Sequence, residues 1–328
     1  AISEEEENAL YIAILLHDIG HGPFSHTLEF SIVPELHHEE VSLLFFEQLN
    51  KEFDGKLDIA LQIFTGKHPK PFLHELVSSQ LDVDRLDYLT RDSFYTGVSE
   101  GIVGLERIIQ MLYVKDNQLL IEEKGTYSIE KFMIARRLMY WQVYLHKTVV
   151  AAEKLLMNIL KRAKELAIQG DELFASPSLS YFLHTPSAEL LDLTNTENIE
   201  HFNMLDDHDI FLSIKVWTKH SDKILSLLAK KFVERRLYKI KIRKTPFKKE
   251  EIDEFKAAVK FPKKLDDELM AYFVFDGNLE NNAYNPDVGK ISMLNKDGTT
   301  MDVSDAADLM NISVLSEPVQ KYFLCYTS

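Results

Sequence analysis

The stretch His17-Asp18-Ile19-Gly20-His21-Gly22-Pro23-Phe24-Ser25-His26 decides how this chain is read. It gathers three histidines and an aspartate, and it closes the apolar run Ala9-Leu10-Tyr11-Ile12-Ala13-Ile14-Leu15-Leu16. A His-Asp pair offers one imidazole nitrogen and one carboxylate. Without thiolates, such donors suit Mg, Mn, Fe, Ni or Zn. Of the 12 histidines, those at 17, 21, 26, 37, 38, 68 and 74 all precede residue 75, so the chemistry is expected near this end.

Upstream of the cluster, Ser3 and Glu6 form an S-x-x-E capping box, and Glu4 to Glu7 stand where a helix dipole favours acids. The pattern predicts a helix to about Leu16 that delivers His17 and Asp18 at its last turn, with Gly20 as its stop. Downstream, Gly22-Pro23 turns the chain, and Ser25 to Phe30 starts a short helical piece. Val41, Leu44, Phe45 and Leu49 recur at helical spacing between His38 and Asn50. Leu57 to Phe64 reads as a further short helix, followed by the loop Gly66-Lys67-His68-Pro69.

The second dense cluster, Leu81-Asp82-Val83-Asp84-Arg85-Leu86-Asp87-Tyr88-Leu89-Thr90-Arg91-Asp92, falls in a helix predicted from Phe72 to Asp92. With Asp84 at zero, Tyr88 lies at roughly 40°, Asp92 at roughly 80° and Arg85 at roughly 100° around the axis. One face therefore carries an acid, an aromatic ring, a base and a second acid. Such a face could hold a metal, a sugar and phosphates together, whereas Asp82 and Asp87 point elsewhere.

Beyond it, Leu105 to Tyr113 reads as a helix, and Asp116-Asn117 as a hairpin turn with Gln118 to Glu122 returning. From Ser128 to about Ala167 the helical pattern is free of Gly and Pro, a length of ~60 Å if unbroken. On it Arg136, Tyr140, Tyr144 and Lys147 form a polar-aromatic stripe. After Gly170, Ser176-Pro177, Thr185-Pro186 and Asn195-Thr196-Glu197 punctuate two or three shorter helices. Leu237 to Arg243 alternates like a half-exposed strand. The tail from Ala271 is strand and turn, with one helical piece from Ser304 to Leu309.

Composition sets the class. A chain of 328 residues with 45% hydrophobic and 27% charged residues is a globular protein with a real core. No apolar run approaches the ~20 residues that span a bilayer, and the acidic residues 3–8 are the opposite of a signal peptide. The chain begins Ala1-Ile2, so sequence upstream of it is expected. A single cysteine excludes an intrachain disulfide and a Cys-rich zinc site, which fits a cytoplasmic location. A net charge of −15 argues against a stable nucleic-acid complex.

Three motifs, HDIGHGPFSH, LDVDRLDYLTRDS and ARRLMYWQVYLHK, resemble those of the HD-domain phosphohydrolases. Within that family the likeness is to the deoxynucleoside triphosphate triphosphohydrolase (dGTPase-like) branch. The motifs lie across residues 10–150, and the likeness implies a helical body to about 260. With the residue patterns above, the expectation is a mainly α-helical HD-domain core over 1–170, a helical extension with a basic strand over 171–270, and a small β-rich region over 271–328. By resemblance the metal ligands are His17, Asp18 and Asp84, with a further ligand histidine upstream of Ala1. His21 and His26 match histidines beside the scissile phosphate. His38 matches an acid-base histidine whose acidic partner is an aspartate in the family and Glu29 here. Arg85 and Arg136 would meet phosphates, with Lys147 as a further cation. Tyr88 and Tyr144 would enclose the deoxyribose, and Asp92 would accept its 3′-hydroxyl.

The implied function is metal-dependent hydrolysis of dNTPs to deoxynucleoside and tripolyphosphate, in a homo-oligomer that could bind a nucleotide activator. The alternatives are hydrolysis of another nucleotide or phosphoester, and a non-catalytic nucleotide-binding regulatory subunit. Several residues have plainer readings. Arg91 would pair with Asp87 on its own helix, Tyr140 would pack, and His68 and His74 would be structural. The basic run from Arg235 to Lys249 is a solvated face or an activator site.

Overall fold

The computed structural model describes residues 1–25, 37–190, 195–261, 265–286, 289–306 and 317–327. The chain is mainly α-helical with two small sheets. It divides into two compact units that interleave along the sequence. Ala1–His17, Phe46–His146 and Leu279–Gln320 form the first, and Asp18–Phe45, Lys147–Asn278 and Lys321–Ser328 the second. The last part of the sequence contributes to both units, Leu279–Gln320 to the first and Lys321–Ser328 to the second.

In the first unit, the helix Glu4–Leu16 starts at Ser3 with both hydrogen bonds of the capping box in place. Ala9 and Ala13, four apart on one face, bring this helix against Asp58–Phe64, where Phe46, Ile63, Phe72 and Leu73 complete a core. A second core in the same unit gathers Leu86, Leu89, Ile108, Phe132, Met133, Met139, Tyr284 and Met293. In the second unit, the helix Lys147–Ile168 packs against Pro177–His184 and Lys223–Val233. Its apolar face is buried through Leu155, Leu156, Ile159, Leu160 and Ala163.

The strands are β1 (Leu112–Lys115), β2 (Gln118–Glu122), β3 (Lys239–Arg243), β4 (Val274–Asn281), β5 (Ser292–Leu294), β6 (Thr300–Asp302) and β7 (Val319–Tyr326). One sheet has the order β1-β2-β5-β6, with β2 and β5 parallel and Ile121 opposite Met293. The hairpin β1–β2 turns at Asp116 and Asn117, both with positive φ, as a tight turn between twisted strands requires. The other sheet runs β3-β7-β4, and the alternation read in β3 places Ile240 opposite Cys325.

Several predicted helices are shorter than their periodicity suggested. The helix expected over Phe72–Asp92 is two helices, Pro71–Val77 and Val83–Thr96, because Asp82 caps the second and breaks the run. Leu105–Tyr113 is helical only to Met111, after which the chain enters β1. The long helix from Ser128 is Thr126–Met139, a π turn at Tyr140–Tyr144, and Lys147–Ile168. Gly20 is not a left-handed helix stop, and its role is a close contact described below. The short helix near the end is Val303–Ala306; residues 307–309, like 26–30 of the predicted piece after Ser25, lie outside the described residues. Pro177–His184, Ser187–Leu190 and Thr196–Asn203 are the three short helices that the punctuation predicted. No helix among the described residues is long and apolar enough to cross a membrane.

The first cap is also tied to a neighbouring helix. Lys70 Nζ donates to Glu6 Oε2 at 2.7 Å, and the Ser3 amide donates to the same oxygen at 2.7 Å. Lys70 first, and then Ser3, hold the Glu6 carboxyl down at about 2. Because this pKa is lowered by folding, the contribution is present above the ordinary carboxylate range and is lost as pH falls toward 2. Glu6→Gln is expected to melt lower than the parent at pH 7, with the gap closing as pH is lowered from ~4.3. Melting curves across that window check this; a gap that persists below pH 2 contradicts it.

Candidate functional site

His17 follows the helix Glu4–Leu16, and its ring turns back onto that helix. Its Nδ1 lies 2.7 Å from the carbonyl oxygen of Ile14. A carbonyl only accepts, so Nδ1 carries a proton and Nε2 is the ring nitrogen turned the other way. Nε2 in turn lies 3.9 Å from Asp84 Oδ1. An imidazole nitrogen and a carboxylate oxygen at that separation are donors of the kind that a divalent cation takes. An imidazole whose second nitrogen is anchored on a backbone carbonyl is the usual form of a metal-ligating histidine.

Asp84 owes its place to the residue two positions before it. Asp82 is buried, and its carboxylate accepts the amide of Arg85 at 2.8 Å and that of Ser79 at 3.1 Å. It also pairs with Arg85 Nη1. These bonds start the helix Val83–Thr96, which buries Leu86, Leu89 and Ser93 and leaves Asp84, Arg85, Tyr88 and Asp92 only partly covered.

Asp92 Oδ2 accepts the hydroxyl of Tyr144 at 2.7 Å, and the rings of Tyr88 and Tyr144 meet edge to face with centroids 6.0 Å apart. Burial first, and for Tyr144 also the bond to Asp92, raises the pKa of both phenols well above the ordinary value, so each remains a neutral donor. Tyr144 sits at the end of the π turn, where the Leu145 amide donates to the Tyr140 carbonyl at 2.7 Å. This wider turn sets the Tyr140 and Tyr144 rings edge to face at 5.2 Å. It also ends the stripe predicted along one continuous helix: Lys147 opens the next helix as an exposed residue.

Arg136 is buried, and its Nη1 donates to Gln80 Oε1 and to the Ala283 carbonyl, each at 3.2 Å. Among the described residues, the Nε atoms of Arg85 and Arg136 are buried donors without a hydrogen-bond partner. Arg91 pairs with Asp87 through two hydrogen bonds, at 2.9 and 2.8 Å, on the solvent side of the same helix. Exposed pairs of this kind contribute little to stability. His68 accepts from the Lys70 amide, and His74 Nδ1 lies 2.9 Å from the Ile63 carbonyl, as structural histidines do.

The second unit begins at Asp18, so the boundary between the units falls inside the His-Asp pair. There Asp18, His21 and His38 present ligand atoms all within 4.8 Å of one another. His21 Nε2 is 3.8 Å from Asp18 Oδ1, and the imidazoles of His21 and His38 stack with centroids 4.0 Å apart. Gly20 makes this packing possible. Its amide donates to the buried Ser42 Oγ at 2.9 Å, and a Cβ on it would overlap the His38 carbonyl oxygen and the Ser42 nitrogen. His26 and Glu29 lie outside the described residues.

With this geometry in hand, the likeness to known proteins is specific. Residues 1–92 match the model of the HD domain, and residues 103–177 that of the HD associated region. The crystal structure of a phosphohydrolase from Bacteroides thetaiotaomicron VPI-5482 superposes with a TM-score of 0.93 at 50% identity, covering 100% of this chain and 81% of that one. The chain belongs to the HD-domain phosphohydrolase family. The uncharacterized protein YwfO of Bacillus subtilis is 34% identical over 242 residues, 72% of this chain and 53% of that protein. The deoxynucleoside triphosphate triphosphohydrolase SAMHD1 homolog of Dictyostelium discoideum is 31% identical over 190 residues, 52% of this chain and 37% of that protein. The chain thus spans about half, or less, of the length of these curated relatives.

Within this HD domain, sequence reasoning missed the Ile14 carbonyl behind His17, Gln80 beside Arg136, and Ser42 beneath Gly20. None carries a motif, although Asp82 three residues before Arg85 is a readable helix cap. Two outcomes test the geometry. Gly20→Ala is expected to cost at least about 2 kcal/mol in urea unfolding, the overpacking range, and an unchanged midpoint would refute the contact. Tyr144→Phe is expected to cost about 1.5 kcal/mol or more, since Asp92 loses a donor to its carboxylate.

Proposed function

We propose that the chain is a metal-dependent dNTP triphosphohydrolase whose cation is held by His17, Asp18 and Asp84. The observation that carries this reading is the His17 ring, protonated at Nδ1 by its bond to Ile14 and set with Nε2 toward Asp84. Imidazole and carboxylate donors without thiolate fit Mg, Mn, Fe, Ni or Zn. A divalent ion held there supplies positive charge against the α-phosphoryl group and acidifies water.

The remaining groups divide the work. The guanidinium groups of Arg85 and Arg136 would supply charge-assisted hydrogen bonds to phosphate oxygens, while their Nη1 atoms stay fixed on Asp82, Gln80 and Ala283. Asp92, with Oδ2 occupied by Tyr144, turns Oδ1 to the 3′-hydroxyl. Tyr88 and Tyr144 then enclose the sugar, and Tyr144 leaves no room for a 2′-hydroxyl. In this reading His21 faces the scissile phosphate, and His38, stacked on it, serves the acid-base chemistry at the departing 5′ oxygen. His26, Glu29 and Lys147 join this machinery by resemblance alone. A cytoplasmic homo-oligomer with a nucleotide activator belongs to the same reading.

Incubation with each dNTP and Mn or Mg is expected to release deoxynucleoside and tripolyphosphate, with the matching ribonucleotide a poor substrate. Release of orthophosphate or pyrophosphate would instead make it a phosphohydrolase of different bond choice, and saturable binding without turnover a regulatory subunit. Asp84→Ala is expected to lower kcat/KM at least ~1000-fold, about 4 kcal/mol of transition-state stabilisation. Near-parental turnover in that variant would remove Asp84 from the site.

A further inference from the structure

We propose that Asp207 and Phe211 are positioning residues that fix the loop carrying Asp18 and His21. Both stand on the helix Asp207–Trp217, far along the sequence from that loop but in the same compact unit. The inference rests on the reading of His21 as the group that faces substrate.

The loop is held at regular intervals. The His21 amide donates to the Asp18 carbonyl at 3.1 Å, and the Ser25 amide to the Gly22 carbonyl at 2.9 Å. Ser42 takes the Gly20 amide, which fixes the loop's first half on the helix His38–Glu52. The second half is closed by the Ser25–Gly22 bond, and it carries the strained backbone. Phe24 and Ser25 are both in the left-handed region, with φ of 53° and 51°. Two successive residues with side chains there are unusual, a bulky aromatic above all, and the surroundings must offset the strain.

The offset comes from the helix Asp207–Trp217. Asp207 Oδ1 accepts the Phe24 amide at 2.8 Å, and the Phe24 ring packs on Phe211 with centroids 5.4 Å apart. Phe211 is backed in turn by Phe232 at 5.7 Å. Asp207 is not needed to start its own helix. Asp206 is the cap there, accepting the amides of His208 and Asp209, with Asp209 closing the capping box. The Asp207 carboxylate is exposed and is committed to a strained amide three residues beyond His21. A backbone held in a sparsely populated conformation next to reacting groups serves preorganisation, since loose placement of an acid-base group costs rate.

The test compares Asp207→Ala with Asp207→Asn, whose amide oxygen can still accept, and with Phe211→Ala. Three readouts are taken on each protein: the melting temperature, amide hydrogen exchange of the peptide covering residues 17–25, and kcat and KM for a dNTP. Asp207→Ala is expected to raise exchange in that peptide at least tenfold and to lower kcat at least tenfold. Its KM should stay within twofold and its melting temperature within a few degrees of the parent. Phe211→Ala should move the same readouts in the same direction, and Asp207→Asn should restore both protection and kcat.

Unchanged exchange in Asp207→Ala overturns the proposal. So does faster exchange with unchanged kcat, because the loop would then be free without consequence. An Asn variant as impaired as the Ala variant also overturns it, since the acceptor would not be what matters. Should the parent hydrolyse no dNTP, the functional reading fails on its own. The exchange arm then still decides whether Asp207 holds the loop.

Discussion

The site depends on a hydrogen bond that takes no part in any reaction, the one between His17 Nδ1 and the Ile14 carbonyl. It spends a carbonyl in the last turn of a helix, where acceptors lack partners within the helix. In return it places a proton on Nδ1 and settles where the other nitrogen points. The capping box at Ser3 and Glu6, and the small residues Ala9 and Ala13 that seat the helix, determine where that last turn falls. A helix displaced by one residue would rotate the histidine by about 100° away from Asp84.

The other side of the site is placed by a second local device. Asp82 looks like a third acid in an acid-rich cluster, yet it is buried and spends its carboxylate on the amides of Ser79 and Arg85 and on the Arg85 guanidinium. It thereby starts the helix whose partly covered side carries Asp84, Arg85, Tyr88 and Asp92. The π turn at Tyr140–Tyr144 acts similarly on the facing element, turning the Tyr144 hydroxyl onto Asp92. In both cases a departure from regular helix decides which side chains meet.

This explains what was legible in the sequence. Periodicity and capping residues carried the first helix, the β1–β2 hairpin, the alternation of β3 and the grouping of Asp84, Arg85, Tyr88 and Asp92 on one side of a helix. The break at Asp82 and the π turn left no mark in the apolar spacing, because apolar residues recur at helical intervals on both sides of each. The continuous helix expected to carry Arg136, Tyr140, Tyr144 and Lys147 is interrupted by that turn. Gly20 was legible as a glycine but not in its purpose. A contact with His38 and Ser42 is a long-range packing constraint, whereas a helix stop is a local one. The interleaving of the two compact units was equally hidden, since it depends on where the tail returns.

The central claim is that the anchored His17 ring completes a cation site with its neighbouring carboxylates. The most direct measurement is a Mn(II) binding isotherm followed by electron paramagnetic resonance, comparing the parent protein with His17→Ala and His17→Gln. The parent should take up one tightly bound ion per chain, and both variants should lose it while keeping their fold by circular dichroism. Full-affinity Mn(II) binding in a folded His17→Ala protein would contradict the account.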